Sequence, residues 1–479
     1  MVRPERANLG PLRAMGGPLD GPPMREVRGV SRDSVDGGKR GRDLSRAAKL
    51  GDAALAMSAV LEGDRSSPFP RVSTDSRTVA AGDLFFCLRG PTFDGHEFVA
   101  AAAEAGAAGV VCERDRGAEA RATVAQVAKR QATGRATAVL EVEDTLHALG
   151  DLAAWTRRGF EGPLVGVTGS NGKTTTKEML RAIFLAHAGE GRVLATQGNL
   201  NNLIGVPLTI FGLAPVHAAA VIEMGMNVPG EIARLTGISA PTVGLITCVA
   251  EAHLEGLGSI EGVARAKGEL FEGLAASAVA IVNIDDANIV RESARFAGRR
   301  ITFGSRGDVS AAGLRCDRID ASTFELVYGG KRVRVDLPLG GRHNVQNALG
   351  AAAAAIAAGV EPATVARGLS SMKPPPMRMS ARAALERRRA HQRRLQRESG
   401  IARRGALHAR RPRLASHRGD RRHARARADS RRAASSRRRA GRRDLAGAAL
   451  RLRKLCHRRG GRGRSGRPRR LTNSRVRSA

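Results

Sequence analysis

The stretch Leu164-Val-Gly-Val-Thr-Gly-Ser-Asn-Gly-Lys-Thr-Thr175 decides the fold. Leu164-Val-Gly-Val167 is a short apolar run of strand type, Gly169 and Gly172 allow a tight turn, and the residues from Thr175 to His187 carry a helical pattern. Strand, glycine turn and helix in that order let backbone N–H groups and the positive end of a helix dipole cradle a phosphate chain. Within the turn, Lys173 is placed to neutralise β and γ oxygens, and the Thr174 hydroxyl is placed to ligate Mg²⁺. Thr168, Gly169, Ser170, Asn171, Gly172, Lys173, Thr174 and Thr175 are therefore the candidate nucleotide-binding residues. Where the common phosphate loop has its first glycine this chain has Val167, so the loop is a shorter G-x-x-G-K-T variant. The bland alternative is a glycine turn ending in an exposed lysine. Taken alone, the motif says ATP or GTP and leaves the reaction open.

Outward from the turn, strand-like runs recur at Ala219-Ala-Val-Ile222, Val243-Gly-Leu-Ile-Thr247 and Ala278-Val-Ala-Ile-Val282. Helical stretches lie between them at 230–235 and 262–274, and a further helix spans 344–358. Such alternation predicts a parallel sheet covered on both faces. Upstream, Asp83-Leu-Phe-Phe-Cys-Leu88 and Gly109-Val-Val-Cys112 read as strands around an Ala-rich helix over 98–108, a small α/β domain. The polar segment Arg157-Arg-Gly-Phe-Glu-Gly-Pro163 separates the two. Boundaries are expected at 48–157 for the first domain and 158–378 for the second, with 1–47 a Gly-, Pro- and Arg-rich disordered or mis-started extension.

The chain has 479 residues and a formal charge of +35, but the charge is lopsided. Residues 381–479 hold 36 basic and 5 acidic side chains, which leaves 44 and 40 in the first 380 residues. The longest apolar run, Ala348 to Val360, has 13 residues, short of the roughly 18 a membrane-spanning helix needs. No membrane insertion and no secretory signal are expected. Cys87, Cys112, Cys248, Cys316 and Cys456 show no CxxC spacing, which favours a reducing compartment, the cytoplasm.

Beyond the turn, a series of motifs follows in order: Ser73-Thr-Asp-Ser-Arg77, GPTFDGHEF from Gly90 to Phe98, Gly198-Asn-Leu-Asn-Asn202 with Gly205-Val-Pro207, Glu223-Met-Gly225, His253, Ala266-Lys-Gly-Glu269 and Arg342-His-Asn-Val-Gln-Asn347. Together they make residues from about 50 to 380 resemble the Mur ligases of peptidoglycan synthesis. The resemblance implies an α/β architecture: an N-terminal uridine-nucleotide domain, a central P-loop parallel-sheet domain that binds ATP, and a Rossmann-like C-terminal domain. It implies a monomer that uses ATP and Mg²⁺ to join a carboxylate to an amine through an acyl phosphate. Through Asn-Leu-Asn-Asn the resemblance further implies the branch that joins D-alanyl-D-alanine to UDP-N-acetylmuramoyl-tripeptide, with a sister ligase adding one amino acid as the alternative.

Carried over residue by residue, the resemblance makes Lys173, Glu223, His253 and Lys267 the catalytic candidates, with Thr174 matching a ligand of a first Mg²⁺ and Glu223 and His253 matching ligands or supports of a second. The lysine matching Lys267 is carbamylated in many members. Asn344, Asn347 and Arg378 match nucleotide contacts, the two asparagines on the adenine side. Ser73, Asp75, Ser76, Arg77, Asn199 and Asn202 match contacts to the uridine precursor. Each residue alone has a plainer reading: a solvated Glu at a strand end, a hydrogen-bonded His, a surface Lys, or a Ser-Thr-Asp-Ser turn.

The segment 379–479 does not match the expected third domain. Its 35 Arg and few apolar runs cannot bury a core. One reading is a basic arm that binds nucleic acid nonspecifically. A sharper reading is a change of reading frame between about Met379 and His391. Codons can be chosen for His391-Gln-Arg-Arg-Leu-Gln-Arg-Glu-Ser-Gly-Ile401 that, read one base later, spell TNDAYNANPES, the signature missing from this chain. In the same way, 421–427 re-reads as GDMLELG and 431–438 as AELHRRVG. The chain as written is then expected to have impaired ligase activity.

Overall fold

Alternation of apolar residues along each strand decides which face of a sheet they cover. The structure, a computed structural model, describes residues 47–131, 136–250, 258–316 and 320–373. In the larger sheet six strands lie in the order Arg299–Phe303, Val279–Asn283, Val243–Ile246, Leu164–Thr168, Ala219–Glu223 and Val193–Ala195, every pairing parallel. Val165, Val167, Val221, Leu245 and Ile281 pack on one face with the helices Lys173–Ala188 and Arg342–Ala357. Leu164, Ala220, Ile222, Ile246 and Val282 pack on the other with Glu231–Ser239 and Ile260–Glu272. Burying each such Val, Leu or Ile contributes about 1.5–3 kcal/mol, so the two-sided cover is the source of the sheet's rigidity. The expected doubly covered parallel sheet is observed.

The smaller sheet runs Val60–Glu62, Ala138–Val142, Gly109–Glu113, Leu84–Phe86 and Val72–Ser73, parallel except for its first pair. Leu84, Phe86, Val111 and Leu140 face one core, and Phe85, Val110, Cys112 and Val139 the other. The Ala-rich helix is shorter than its composition suggests. Asp94 caps a 3-10 turn over Gly95–Phe98, and the α-helix occupies only Val99–Glu104.

Two features lie outside the sequence expectations. An antiparallel three-stranded sheet, Ser310–Arg315, Ser322–Tyr328 and Lys331–Leu337, lays Phe324, Leu326, Val335 and Leu337 onto the first core, and the helix Pro362–Ser371 packs there as well. The polar break after the first sheet is also tied down at its start. Arg157 is buried and donates to the carbonyls of Phe160, Ser239 and Ala240 at 2.6, 2.7 and 3.0 Å. Burial lowers its pKa to about 10. Nearby, Arg234 bonds the Asp151 carboxylate and the His147 carbonyl, each at 2.8 Å. Among the described residues no helix is long and apolar enough to cross a membrane.

Candidate functional site

The C-terminal ends of parallel strands are where open α/β sheets gather ligand-binding loops, and four strand ends of the larger sheet converge here. Leaving Thr168, the chain turns through Gly169 at φ +145° and Gly172 at φ +84° before the helix starts at Lys173. A side chain at Gly169 would strike the Thr247 hydroxyl, and one at Gly172 the Asn347 amide. Glycine is required at both, because an L side chain is strained at these angles and its room is already occupied.

The turn is braced from the neighbouring strand end. Ser170 N donates to Cys248 O at 2.8 Å, its hydroxyl donates to Ala250 O at 2.9 Å, and Thr247 Oγ1 donates to Asn171 O at 2.6 Å. Asn283 Nδ2 holds the Thr247 carbonyl at 3.0 Å. Lys173 Nζ donates to Gly169 O at 2.7 Å, so a phosphate oxygen arriving in the turn takes over a donor now spent on the backbone. Burial lowers the Lys173 pKa, and the charges of Glu223 and Cys248 oppose that shift.

Glu223 ends the adjacent strand at 2 % exposure. Its Oε1 accepts from Thr174 Oγ1 at 3.2 Å and from Asn201 Nδ2 at 3.0 Å, whereas its Oε2 is buried with no hydrogen-bond partner. A buried carboxylate oxygen left in that state costs free energy until something cationic meets it. A hard divalent cation fits, since Thr174 and Glu223 offer oxygen ligands and Mg²⁺ commonly takes one or two protein oxygens with the rest from water and phosphate. No group of three or more His, Cys, Asp and Glu side chains able to hold a metal unaided occurs among the described residues.

Lys267 lies on the Ile260–Glu272 helix at 2 % exposure, and burial, reinforced by the charge of Lys173, lowers its pKa to about 8. Relative to the unfolded chain, the fold disfavours the ammonium form. Charging it relative to a pKa of 10.5 in the open costs roughly 3 kcal/mol. That penalty is complete below pH 8 and fades as pH rises toward the unfolded value. Lys267→Met is expected to raise the melting temperature at pH 7 by several degrees, with the gap narrowing above pH 8. Melting curves from pH 6 to 10 check this, and a gap that widens with pH contradicts it.

The remaining expected residues are distributed as follows. Asn344 is fully buried: its Nδ2 donates to Gly340 O at 2.6 Å, and its Oδ1 has no partner. Asn347 is half-buried against Gly172. In the smaller sheet the Ser73 hydroxyl bonds Asp75 O at 3.1 Å, and Asp75 caps the turn Ser76–Thr78 while accepting from Arg77 Nη2 at 2.7 Å. The Arg77 hydrogen bonds hold the Asp75 pKa at about 2. Asn202 Oδ1 caps the helix Gly205–Ile210 by accepting from Gly205 N at 2.8 Å, and the Asn199 carbonyl accepts from Asn201 N at 2.7 Å. His253, Arg378 and the whole segment 379–479 lie outside the described residues.

Sequence reasoning missed three supports of the site. Asn201 meets Glu223, Thr196 Oγ1 accepts from Glu223 N at 2.9 Å, and Asp285 accepts from Ser305 N and Gln346 Nε2 at the foot of the Arg342–Ala357 helix. Three asparagines within four residues, Asn199, Asn201 and Asn202, were a signal that one turns inward. Which one does is a tertiary matter.

A parallel sheet with a glycine turn, a helix N-terminus and an orphaned carboxylate at its C-terminal edge defines an α/β protein of the P-loop class. Residues 167–355 match the Mur ligase middle domain, and residues 69–157 match the Mur ligase family catalytic domain. The chain belongs to the Mur ligase family. It is 37% identical over 324 residues to the UDP-N-acetylmuramoyl-tripeptide--D-alanyl-D-alanine ligase of Haemophilus influenzae, covering 67% of each chain. To the ligase of the same name from Synechocystis it is 40% identical over 301 residues, covering 62% of this chain and 60% of that one. The chain thus spans about two thirds of the length of these curated relatives, or somewhat less. Among solved structures it resembles MurF from Acinetobacter baumannii, with 33% identity, a TM-score of 0.61 and 69% of each chain covered. It also resembles Thermotoga maritima MurF ligase in complex with ADP, with 29% identity, a TM-score of 0.52, and 64% and 66% of the two chains covered.

Proposed function

We propose that this chain is the precursor-binding and nucleotide-binding part of an ATP-dependent cytoplasmic ligase that joins D-alanyl-D-alanine to UDP-N-acetylmuramoyl-tripeptide. In this reading residues 48–157 hold the uridine nucleotide, residues 158–378 hold ATP, and residues 379–479 are an out-of-frame stretch in place of the amine-binding domain. The observation that carries the nucleotide half is Glu223: Thr174 of the phosphate turn bonds one of its oxygens, and the other is buried and unpaired. The ligase names shared by the relatives support the substrate half.

In the proposed reaction a precursor carboxylate oxygen attacks the γ-phosphorus and ADP leaves. The amine of the dipeptide then displaces phosphate from the acyl phosphate. Negative charge accumulates at the turn in both steps, so preorganised donors there stabilise them. Backbone amides of 169–174 hold the phosphate chain, Lys173 supplies a cation that burial has stripped of water, and Asn347 closes against Gly172 on the side assigned to adenine. Mg²⁺, held by Thr174 and Glu223 with His253 in support, would offset the phosphate charge. Lys267, with its amine drawn toward neutrality, is suited to carbamylation.

The test uses the gene re-encoded so that 391–401 reads TNDAYNANPES. With UDP-N-acetylmuramoyl-tripeptide and ATP, phosphate release is expected with D-alanyl-D-alanine and not with single amino acids. Turnover with one amino acid and none with the dipeptide would assign the chain to a sister ligase.

A further inference from the structure

Of the asparagines in Asn199-Leu-Asn-Asn202, the sequence motif assigns two to the precursor and leaves Asn201 without a role. The structure places Asn201 on the buried Glu223 carboxylate. Asn201 Nδ2 donates to Glu223 Oε1 at 3.0 Å, the same oxygen that takes the Thr174 hydroxyl at 3.2 Å. With two donors on Oε1 and none on Oε2, the carboxylate is held with one oxygen saturated and one open.

The loop that carries Asn201 is itself fastened at this point. Gly225 N donates to Asn201 O at 2.7 Å, and a Cβ on Gly225 would come within 2.9 Å of Asn201 Oδ1. The glycine of Glu223-Met-Gly225 is what lets the amide approach. From the other side Thr196 receives the Glu223 amide N–H at 2.9 Å, and the Thr196 carbonyl takes the buried Lys177 ammonium at 2.7 Å. Backbone and side chain of Glu223 are therefore both fixed, by Thr196 and by Asn201.

We propose that Asn201 is a positioning residue: it pins Glu223 Oε1 so that Oε2 is the oxygen presented to a divalent cation on the bound nucleotide. Removing a partner that orients a metal-binding group typically costs about 10–100-fold in metal affinity. The inference rests on the reading of Thr174 and Glu223 as the magnesium–nucleotide site. It adds that the asparagine loop, assigned to the precursor, also sets the geometry of the nucleotide's metal.

The test is calorimetric titration of ADP into the full 479-residue chain, with and without MgCl₂. Wild type is expected to bind ADP more tightly with magnesium. Asn201→Ala is expected to reduce that enhancement at least about tenfold while the metal-free ADP affinity stays within about twofold, because freeing Oε1 lets the carboxylate turn its Oε2 away from the cation and leaves the phosphate contacts in place. Gly225→Ala, which displaces the Asn201 amide without removing it, is expected to give the same split and serves if the alanine variant does not fold. Retention of the full magnesium enhancement in both variants overturns the proposal. So does an equal loss with and without metal, which is what a purely structural role produces. A wild-type chain that binds ADP with no magnesium enhancement overturns the underlying metal-site reading and this proposal with it.

Discussion

A chain re-encoded in the shifted frame from the break between about Met379 and His391 to its end, so that 391–401 reads TNDAYNANPES, is expected to ligate D-alanyl-D-alanine at least about 10³-fold faster than the 479-residue chain under the same ATP and magnesium. The amine must be held beside the acyl phosphate in a near-attack geometry, and such positioning is worth effective molarities of about 10⁵–10⁸ M. The segment 381–479 has 36 basic residues among 99, a composition from which the core that such a pocket requires is not expected. The matched family regions, 69–157 and 167–355, both end before that segment begins. Phosphate-release assays of the two proteins side by side decide the matter. Equal rates would mean that the Arg-rich segment performs the amine-side work, and the frame-change reading would fall.

Lys173→Met is expected to weaken ADP binding at least about 100-fold, roughly 2.7 kcal/mol, without lowering the melting temperature of the nucleotide-free chain. The two halves of this expectation have one cause. Burial already disfavours the Lys173 ammonium, whose hydrogen bond is to a backbone carbonyl of its own turn. Removing the charge therefore relieves the empty protein and deprives only the phosphate-bound one. Melting curves and ADP titrations on the same variant separate these effects. A large drop in melting temperature with unchanged ADP affinity would make Lys173 a structural lysine.

Much of this was legible in the sequence because the central sheet obeys strong local rules. Four of its six strands and the helices on both faces follow from apolar runs and their spacing, and the turn from two glycines before a lysine; the short outer strands Val193–Ala195 and Arg299–Phe303 do not. Glu223 could be singled out because it closes an apolar run inside a family motif, Glu223-Met-Gly225. What was not legible depends on long-range paths. Asn199, Asn201 and Asn202 are alike in sequence, yet one caps a helix, one meets a buried carboxylate and one offers its carbonyl within the loop. The strand Lys331–Leu337 alternates charged with apolar residues and was readable in principle, but its small antiparallel sheet belongs to the core of the larger one only through tertiary packing. Arg157 read as part of a polar break because nothing local announces the three carbonyls that receive it. His253 and Arg378 rest on the motif resemblance alone.

The central claim is that the turn from Thr168 to Thr175 grips the phosphates of a nucleotide. Titration of Mg·ADP into the purified 479-residue chain tests it most directly. Saturable binding at one site per chain, lost in Lys173→Met, is the predicted result. Absence of saturable binding by a chain that melts cooperatively, or binding indifferent to Lys173, would contradict the account.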